Sequence, residues 1–185
     1  MPGPLDGVKI VDLSAVIAGP MATGILADQG ADVIKVEPLG LGDLCRWLGP
    51  NRNGIGAMFA AVNRNKRSIA LNLKDERARE VLRDLLKDAA VFIQNFRPGA
   101  IGRMGFGYDV LKASHPDLIY VSMSGFGQDG PYAKRRVYDP VVQRRASRGS
   151  SRRSPATRSR RSLRRRPLPP RSLHVRGAPA GSTYL

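Results

Sequence analysis

The residues best suited to bind a ligand are cations placed beside the ends of predicted strands. Guanidinium and ammonium groups hold phosphates through charge-assisted hydrogen bonds, so such a grouping fits a polyanionic small molecule. A solvated basic surface is the alternative explanation, and composition alone favours it. Four of these cations bracket the third predicted strand and two follow the fourth: Arg64, Lys66, Arg67, Lys74, Arg97 and Arg103.

Two glycine patterns partly resemble phosphate-binding loops. Gly19 and Gly24 have the spacing of a P-loop, but Ile25 and Leu26 stand where Lys and Ser or Thr are required. Residues 125–130 match the dinucleotide fingerprint, which needs a helix to begin there and an acid further on. Residues 131–136 have no apolar stripe and no acid follows Asp139. We therefore interpret residues 125–130 as a flexible glycine loop.

Cysteine and histidine are too scarce to favour a metal site. Cys45 is the only cysteine, which excludes an internal disulfide and suits a reducing compartment. The histidines are His115 and His174, and no metal is predicted. Because His115 precedes Pro116 at a predicted helix end, we interpret it as a C-terminal cap.

The elements that must position these residues alternate between strand and helix. Hydrophobic patterning predicts strands over residues 8–13, 32–37, 68–73, 90–94 and 118–123. Helices are predicted over residues 21–29, 55–62, 75–89 and 108–114, the first ending at Gly30. A strand, a helix and a strand within the first 37 residues are typical of a parallel βαβ unit, so the chain is predicted to be an α/β protein.

The basic character of the chain is confined to its last 42 residues. Residues 1–143 hold 18 Lys+Arg and 15 Asp+Glu, whereas residues 144–185 hold 13 Arg, no Lys and no acid, and together they give the net charge of +16. The second part is rich in Ser and Pro and has no apolar period, so it is predicted to be a disordered tail. We therefore divide the chain at residue 143. No signal peptide or membrane span is predicted, and a cytoplasmic protein is expected.

Five segments in the first part resemble, in order, the N-terminal third of the family III CoA-transferases, which include formyl-CoA transferase, carnitine-CoA transferases and the α-methylacyl-CoA racemases. The resemblance covers nearly all of residues 4–143 and is specific for the superfamily rather than for a substrate. The segments are PLDGVKIVDLSAVIAGPMAT (4–23), GADVIKVEPLGLGD (30–43), NRNKRSIALNLK (63–74), QNFRPGAIGRMGFGYDVL (94–111) and VSMSGFGQDGPYA (121–133).

The resemblance implies a Rossmann-like parallel sheet flanked by helices, as an incomplete large domain, and coenzyme A as the bound carrier. CoA carries a 3′-phosphate and a diphosphate, which the predicted cations would bind. Many transferases carry Gln at the second position of the first turn, where this chain has Ile17. The residues implied to contact CoA are Val16, Ile17, Leu71, Asn72, Leu73, Lys74, Asn95, Phe96, Arg97 and Arg103, with Tyr138 and Asp139 at the edge of the active site.

The resemblance also implies the reaction and its partners. CoA would pass from an acyl-CoA to a carboxylate acceptor through an Asp nucleophile, in an interlocked homodimer. Racemases carry His where this chain has Tyr138, which favours a transferase over a racemase. The stretch aligned with the nucleophile, residues 164–170, contains no acid. No catalytic residue is therefore predicted in this chain, which is expected to be inactive, with a shifted reading frame near codon 143.

A nucleic-acid-binding protein remains the alternative from another functional class. Thirteen arginines would bind phosphates, but without aromatic interleaving the binding would be non-specific and strongly salt-dependent. The organised motifs all lie in the nearly neutral part, which favours the enzyme interpretation.

Overall fold

The computed structural model describes residues 3–137 and 173–176. Its strands are β1 (Lys9–Leu13), β2 (Asp32–Glu37), β3 (Asn51–Arg52), β4 (Ile55–Gly56), β5 (Arg67–Ala70), β6 (Val91–Gln94), β7 (Ile119–Met123) and β8 (Leu173–Arg176). Its helices are α1 (Ala18–Asp28), α2 (Ala57–Asn63), α3 (Glu76–Lys87), α4 (Ala100–Arg103) and α5 (Tyr108–Ser114), with a 3₁₀ turn at Leu44–Trp47.

The main sheet has the strand order β5-β2-β1-β6-β7-β8. The first five strands are parallel, with Val11 of β1 in register with Ile34 of β2 on one side and Phe92 of β6 on the other. The chain runs outward from β1 to β5, then crosses to β6 and β7. This is the doubly wound pattern, so the α/β prediction with a Rossmann-like parallel sheet is confirmed.

Side chains alternate between the two faces of the sheet along each strand, so the hydrophobic core is divided into two clusters, one on each face. Val11 and Phe92 face a large cluster that includes Leu82 and Leu86 from α3. Ile10 and Val33 face a smaller cluster beneath α1. Helix α3 begins at the N-cap Asp75, whose carboxylate accepts the backbone N–H of Arg77, and it lies within the predicted range 75–89, with Leu82 and Leu86 buried.

Several local predictions are confirmed and several elements were not foreseen. Gly30 adopts φ +101° just after α1, and His115 is the C-cap residue of α5. Helix α1 begins earlier than predicted because Pro20 fits within a first helical turn. No helix starts at the glycine loop of residues 125–130, which excludes a dinucleotide fingerprint there.

Strand β8 lies in the part of the chain that was expected to lack regular structure. Leu173–Arg176 pairs antiparallel with β7, Val175 opposite Val121. The sequence did not predict this strand, since four residues beside arginine and proline give no readable period. The rest of residues 138–185 lies outside the described part of the chain.

Candidate functional site

The strand order reverses between β1 and β6, and two predicted site segments meet there. Ligands of open α/β sheets bind outside the carboxyl ends of the strands at such a switch point. The carboxamide of Asn95, directly after β6, accepts the backbone N–H of Ala15 at 2.9 Å and donates to the Ala15 carbonyl at 2.7 Å. The structure thus fixes the turn after β1 against the segment after β6.

Val16, in that turn, has a backbone conformation that valine rarely adopts. Its φ is +72°, and a β-branched side chain is disfavoured in the left-handed region. Both of its backbone polar groups are held: the N–H donates to the two carboxylate oxygens of Asp43 at 3.1 and 3.2 Å, and the carbonyl accepts from the Sγ of Cys45 at 2.9 Å. Ile17 follows as the N-cap residue of α1, without a side-chain capping bond.

Buried charges lie beneath the same turn. The Nζ of Lys35 is 2.9 Å from a carboxylate oxygen of Asp43 and donates to the Ser14 carbonyl at 2.9 Å. The Nζ of Lys66 is 3.1 Å from the buried carboxylate of Asp12. Burial lowers the pKa of Lys66, although the charge of Asp12 opposes that shift. Each buried charge is paired, as interiors of low dielectric require.

Cys45 has no disulfide and is buried. Burial and the neighbouring carboxylate of Asp43 raise the pKa of its thiol. The thiol therefore stays protonated and acts as a hydrogen-bond donor rather than as a nucleophile.

The loop after β5 carries four of the predicted site residues. Leu71 and Leu73 pack against the larger core cluster, so their side chains anchor the loop. Asn72 accepts the backbone N–H of Lys74 at 3.3 Å, and both residues are exposed. Because β5 is parallel to β1 and β6, this loop lies at the same edge of the sheet as the first turn.

The segment after β6 carries the remaining described candidates. The backbone N–H of Phe96 donates to Gln94 at 2.8 Å, and the Phe96 ring packs partly against the core. Arg97 is exposed, and Arg103 is the exposed last residue of α4. Within residues 3–137 the side chains of Lys74, Arg97 and Arg103 make no hydrogen bond or ion pair.

The other three cations of the predicted group are committed to acids of the fold. Arg64 pairs with Asp28 and Arg67 with Asp32, both near the surface, and Lys66 is buried against Asp12. Three of these six cations are therefore paired with acids of the fold, and the other three have no hydrogen-bond or ion-pair partner within residues 3–137.

A pocket of about 200 Å³ lies beside the carboxyl ends of β6 and β7. At its wall the hydroxyl of Ser122 accepts from Gln94 at 2.7 Å and from Gln128 at 2.8 Å. Tyr120 also lines it and donates to the carbonyl of Phe106, and burial raises the pKa of Tyr120 to about 12. The pocket is also lined by Gly102 of α4 and by Gly99 and Gly107, which lie on either side of that helix in the sequence.

Comparison with known proteins identifies the family. Residues 5–158 match the model of CoA-transferase family III. The chain belongs to CoA-transferase family III. It is 50% identical over 149 residues to an acyl-CoA transferase of Fusarium pseudograminearum and 48% identical over 141 residues to acetyl-CoA:oxalate CoA-transferase of Acetobacter aceti. These matches cover 76% of this chain but 33% and 36% of the relatives, so the chain spans about a third of their length.

Two solved structures share the fold of this chain. A CAIB/BAIF family protein from Brucella suis superposes with a TM-score of 0.74 at 45% identity, covering 78% of this chain and 39% of that one. Rv3272 from Mycobacterium tuberculosis gives a TM-score of 0.75 at 34% identity, covering 83% and 43%.

Some predicted features lie beyond what the structure describes. Tyr138 and Asp139 fall outside the described residues, as does nearly all of the arginine-rich tail. In residues 3–137 no group of three or more His, Cys, Asp or Glu side chains is placed to hold a metal ion. No helix among the described residues is long and apolar enough to cross a membrane.

Sequence reasoning missed the buried groups that hold the first turn. Asp12, Lys35 and Asp43 were not singled out, although the first two interrupt otherwise apolar strands. A charged residue within a strand that is buried on both faces needs a partner, and this signal could have found them. Cys45 was considered only for disulfide and metal chemistry.

Proposed function

We propose that this chain provides the CoA-binding part of a family III CoA-transferase, whose reaction moves CoA from an acyl-CoA donor to a carboxylate acceptor. The observation that carries the proposal is a set of three cations, Lys74, Arg97 and Arg103, that have no partner within residues 3–137 and lie at the edge of the sheet where the first turn is fixed. Unpaired cations beside a topological switch point suit a phosphorylated ligand.

The spacing of the cations favours a long ligand over a single phosphate. Three strand separations lie between β5, which precedes Lys74, and β6, which precedes Arg97. At about 4.8 Å per strand, the two positions are about 14 Å apart along the sheet. CoA offers a 3′-phosphate and a diphosphate at separate points, with a flexible pantetheine arm beyond them.

The uncharged groups of the site suit the rest of that molecule. Leu71, Leu73 and Phe96 are partly buried beside the edge and offer apolar contact. The backbone of Val16 and Ile17 lies at the turn itself, and the Asn95 side chain is engaged with Ala15. We therefore propose that Asn95 serves the site by holding the turn, and that its backbone rather than its carboxamide faces CoA.

The covalent step needs a carboxylate nucleophile that this chain does not provide at the aligned position. In the proposed reaction an Asp oxygen attacks the thioester carbonyl, the CoA thiolate leaves, and the mixed anhydride is then opened by that thiolate to release the acyl carboxylate. The resulting aspartyl-CoA thioester passes CoA to the acceptor. No Asp or Glu follows Asp139, so we propose that residues 1–185 bind CoA without turning it over.

The experiment is calorimetric titration of the full 185-residue chain with CoA, dephospho-CoA and pantetheine. CoA is expected to bind, and dephospho-CoA is expected to bind about tenfold more weakly, because one charge-assisted contact contributes about 1.5–3 kcal/mol. Pantetheine, which has no phosphate, should show no measurable heat. Equal binding of CoA and pantetheine would reject a phosphate-recognising site.

A further inference from the structure

Three consecutive residues after β1 have their backbone polar groups held by side chains of other elements. The Ser14 carbonyl accepts from Lys35 of β2, and both polar groups of Ala15 pair with Asn95. Both polar groups of Val16 pair with Asp43 and Cys45, which lie 27 and 29 residues further along the chain. Local turn chemistry alone does not produce such an arrangement, since each of these partners lies at least 21 residues away in sequence; the Ser14 N–H itself is accepted locally by Asp12 at 2.9 Å.

The strain in this turn falls on one residue. Among the described residues the non-glycine positions with positive φ are Val16, Asn53 and Asn65. Asparagine tolerates the left-handed region, whereas a β-branched residue stays there only when its surroundings hold it. Val16 is also the first residue of the proposed CoA site.

We propose that Asp43 and Cys45 are positioning residues that hold Val16 in its left-handed conformation and so shape the CoA site. This inference rests on the proposed function. Both side chains are buried, Asp43 with 2% and Cys45 with 0% of its surface exposed, so they act through the turn rather than on the ligand.

Asp43 is itself fixed on several sides. Lys35 pairs with its carboxylate, and Glu37 accepts its backbone N–H at 2.9 Å. Its carboxylate also accepts the N–H of Cys45 at 3.0 Å, as the N-cap of the 3₁₀ turn. One carboxylate therefore orients both the N–H of Val16 and the thiol donor to its carbonyl.

The test uses four variants of the full 185-residue chain. Asp43→Asn replaces one of the two oxygens that accept the Val16 N–H by an NH₂ group, which cannot accept, and it removes the charge that pairs with Lys35. Cys45→Ala removes the donor to the Val16 carbonyl without leaving an ion unpaired, and Cys45→Ser restores a donor. Val16→Gly removes the strain, because glycine adopts positive φ freely.

Two readouts are taken for each variant: the Kd for CoA by calorimetry, and the amide hydrogen exchange rate of Val16 without ligand. Asp43→Asn is expected to raise the Kd about tenfold, within the range that backbone strain of this kind supports. Cys45→Ala should raise it about threefold and Cys45→Ser should restore it. Exchange at Val16 should be at least about tenfold faster in Asp43→Asn.

Two matched controls separate positioning from general stability. Asp32→Asn removes an acid paired with Arg67, and Val33→Ala weakens the buried face of β2, where Val33 packs in the smaller core cluster, which includes no residue of the turn. Both should leave the Kd and Val16 exchange within about twofold of the parent. Loss of binding in the controls as large as in Asp43→Asn would overturn the positioning role.

The double variant Val16→Gly/Asp43→Asn gives the decisive comparison. With glycine at position 16, the Asp43→Asn change should alter the Kd by less than about threefold. An equal effect of Asp43→Asn in both backgrounds would show that Asp43 does not act through Val16. A Kd and an exchange rate that are unchanged in Asp43→Asn and Cys45→Ala would also reject the proposal. If the parent does not bind CoA, the proposed function fails, while the exchange rates still decide whether Asp43 and Cys45 hold the Val16 backbone.

Discussion

Glu37 allows the strongest quantitative prediction about the stability of this sheet edge. It is the last residue of β2, with 4% of its surface exposed, and its carboxylate accepts four hydrogen bonds. Arg46 donates twice at 2.7 Å, Ser68 donates at 2.6 Å, and the backbone N–H of Asp43 donates at 2.9 Å. One side chain thereby joins β2 to the following loop and to β5.

The magnitude follows from the pKa of that carboxyl group. Burial alone would raise the pKa, but the hydrogen bonds from Arg46, Ser68 and Asp43 outweigh it and lower the pKa from 4.5 to about 2. Because the folded-state pKa is depressed, the stabilisation is complete above pH 4.5 and is lost as pH falls towards 2. The shift corresponds to about 2–3 kcal/mol once solvent screening of Arg46, whose side chain is 26% exposed, is allowed for.

The assay is urea unfolding of the 185-residue chain at pH 7, 4.5, 3 and 2, followed by far-ultraviolet circular dichroism and by fluorescence of Trp47, the single tryptophan. The parent should lose about 2–3 kcal/mol more than Glu37→Gln between pH 4.5 and 2. Glu76→Gln is the control, because Glu76 is exposed on α3 and pairs with Arg79 and Arg83 at the surface. Parallel pH profiles for the parent and Glu37→Gln would refute the reasoning.

Three further predictions concern packing, hydrogen bonding and activity. Gly19→Ala should destabilise the chain by about 1–3 kcal/mol in urea unfolding, because a Cβ at that position would overlap the Ser14 side chain. Gly102→Ala is the control and should not destabilise the chain, because a Cβ there meets open space. Equal stabilities of the two variants would contradict the packing at Gly19. Tyr120→Phe should destabilise the chain by about 1 kcal/mol at pH 7, because the hydrogen bond to the Phe106 carbonyl is lost. The raised pKa of Tyr120 means that the folded state favours the neutral hydroxyl. The parent should therefore lose stability as pH rises from 10 to about 12, and the variant should not. Incubated with an acyl-CoA and carboxylate acceptors, the 185-residue chain should form no aspartyl-CoA adduct by mass spectrometry. If the reading frame is shifted near codon 143, as the sequence predicts, a version with that frame restored should form the adduct. Transfer at equal rates by both versions would refute the proposal that residues 1–185 lack the nucleophile.

Much of the fold could be predicted from the sequence because its elements repeat a clear period. The apolar runs of β1, β2 and β6 and the regularly spaced leucines of α3 are long enough to distinguish strand from helix. The hairpin of β3 and β4 could not be predicted, since each strand has two residues and its position depends on contacts with the 3₁₀ turn.

The site was only partly predictable for a different reason. Lys66 and Lys74 are both lysines beside the third predicted strand, yet Lys66 is buried against Asp12 and Lys74 is exposed. Which cation is paired depends on which strands become neighbours, and strand order is a tertiary property. The conformation of Val16 was likewise hidden, because valine does not signal a left-handed turn and its partners lie far along the chain.

Calorimetry of charge variants tests the central claim most directly. Lys74→Ala, Arg97→Ala and Arg103→Ala remove the three cations that have no partner in the described part of the chain, while Arg67→Ala removes a cation paired with Asp32 and serves as the matched control. Each of the first three should raise the Kd for CoA by about tenfold or more, since each contact contributes about 1.5–3 kcal/mol, and the control should change it by less than about twofold. CoA binding that is unaffected by the three substitutions, or weakened as strongly by Arg67→Ala, would contradict the site described for this chain.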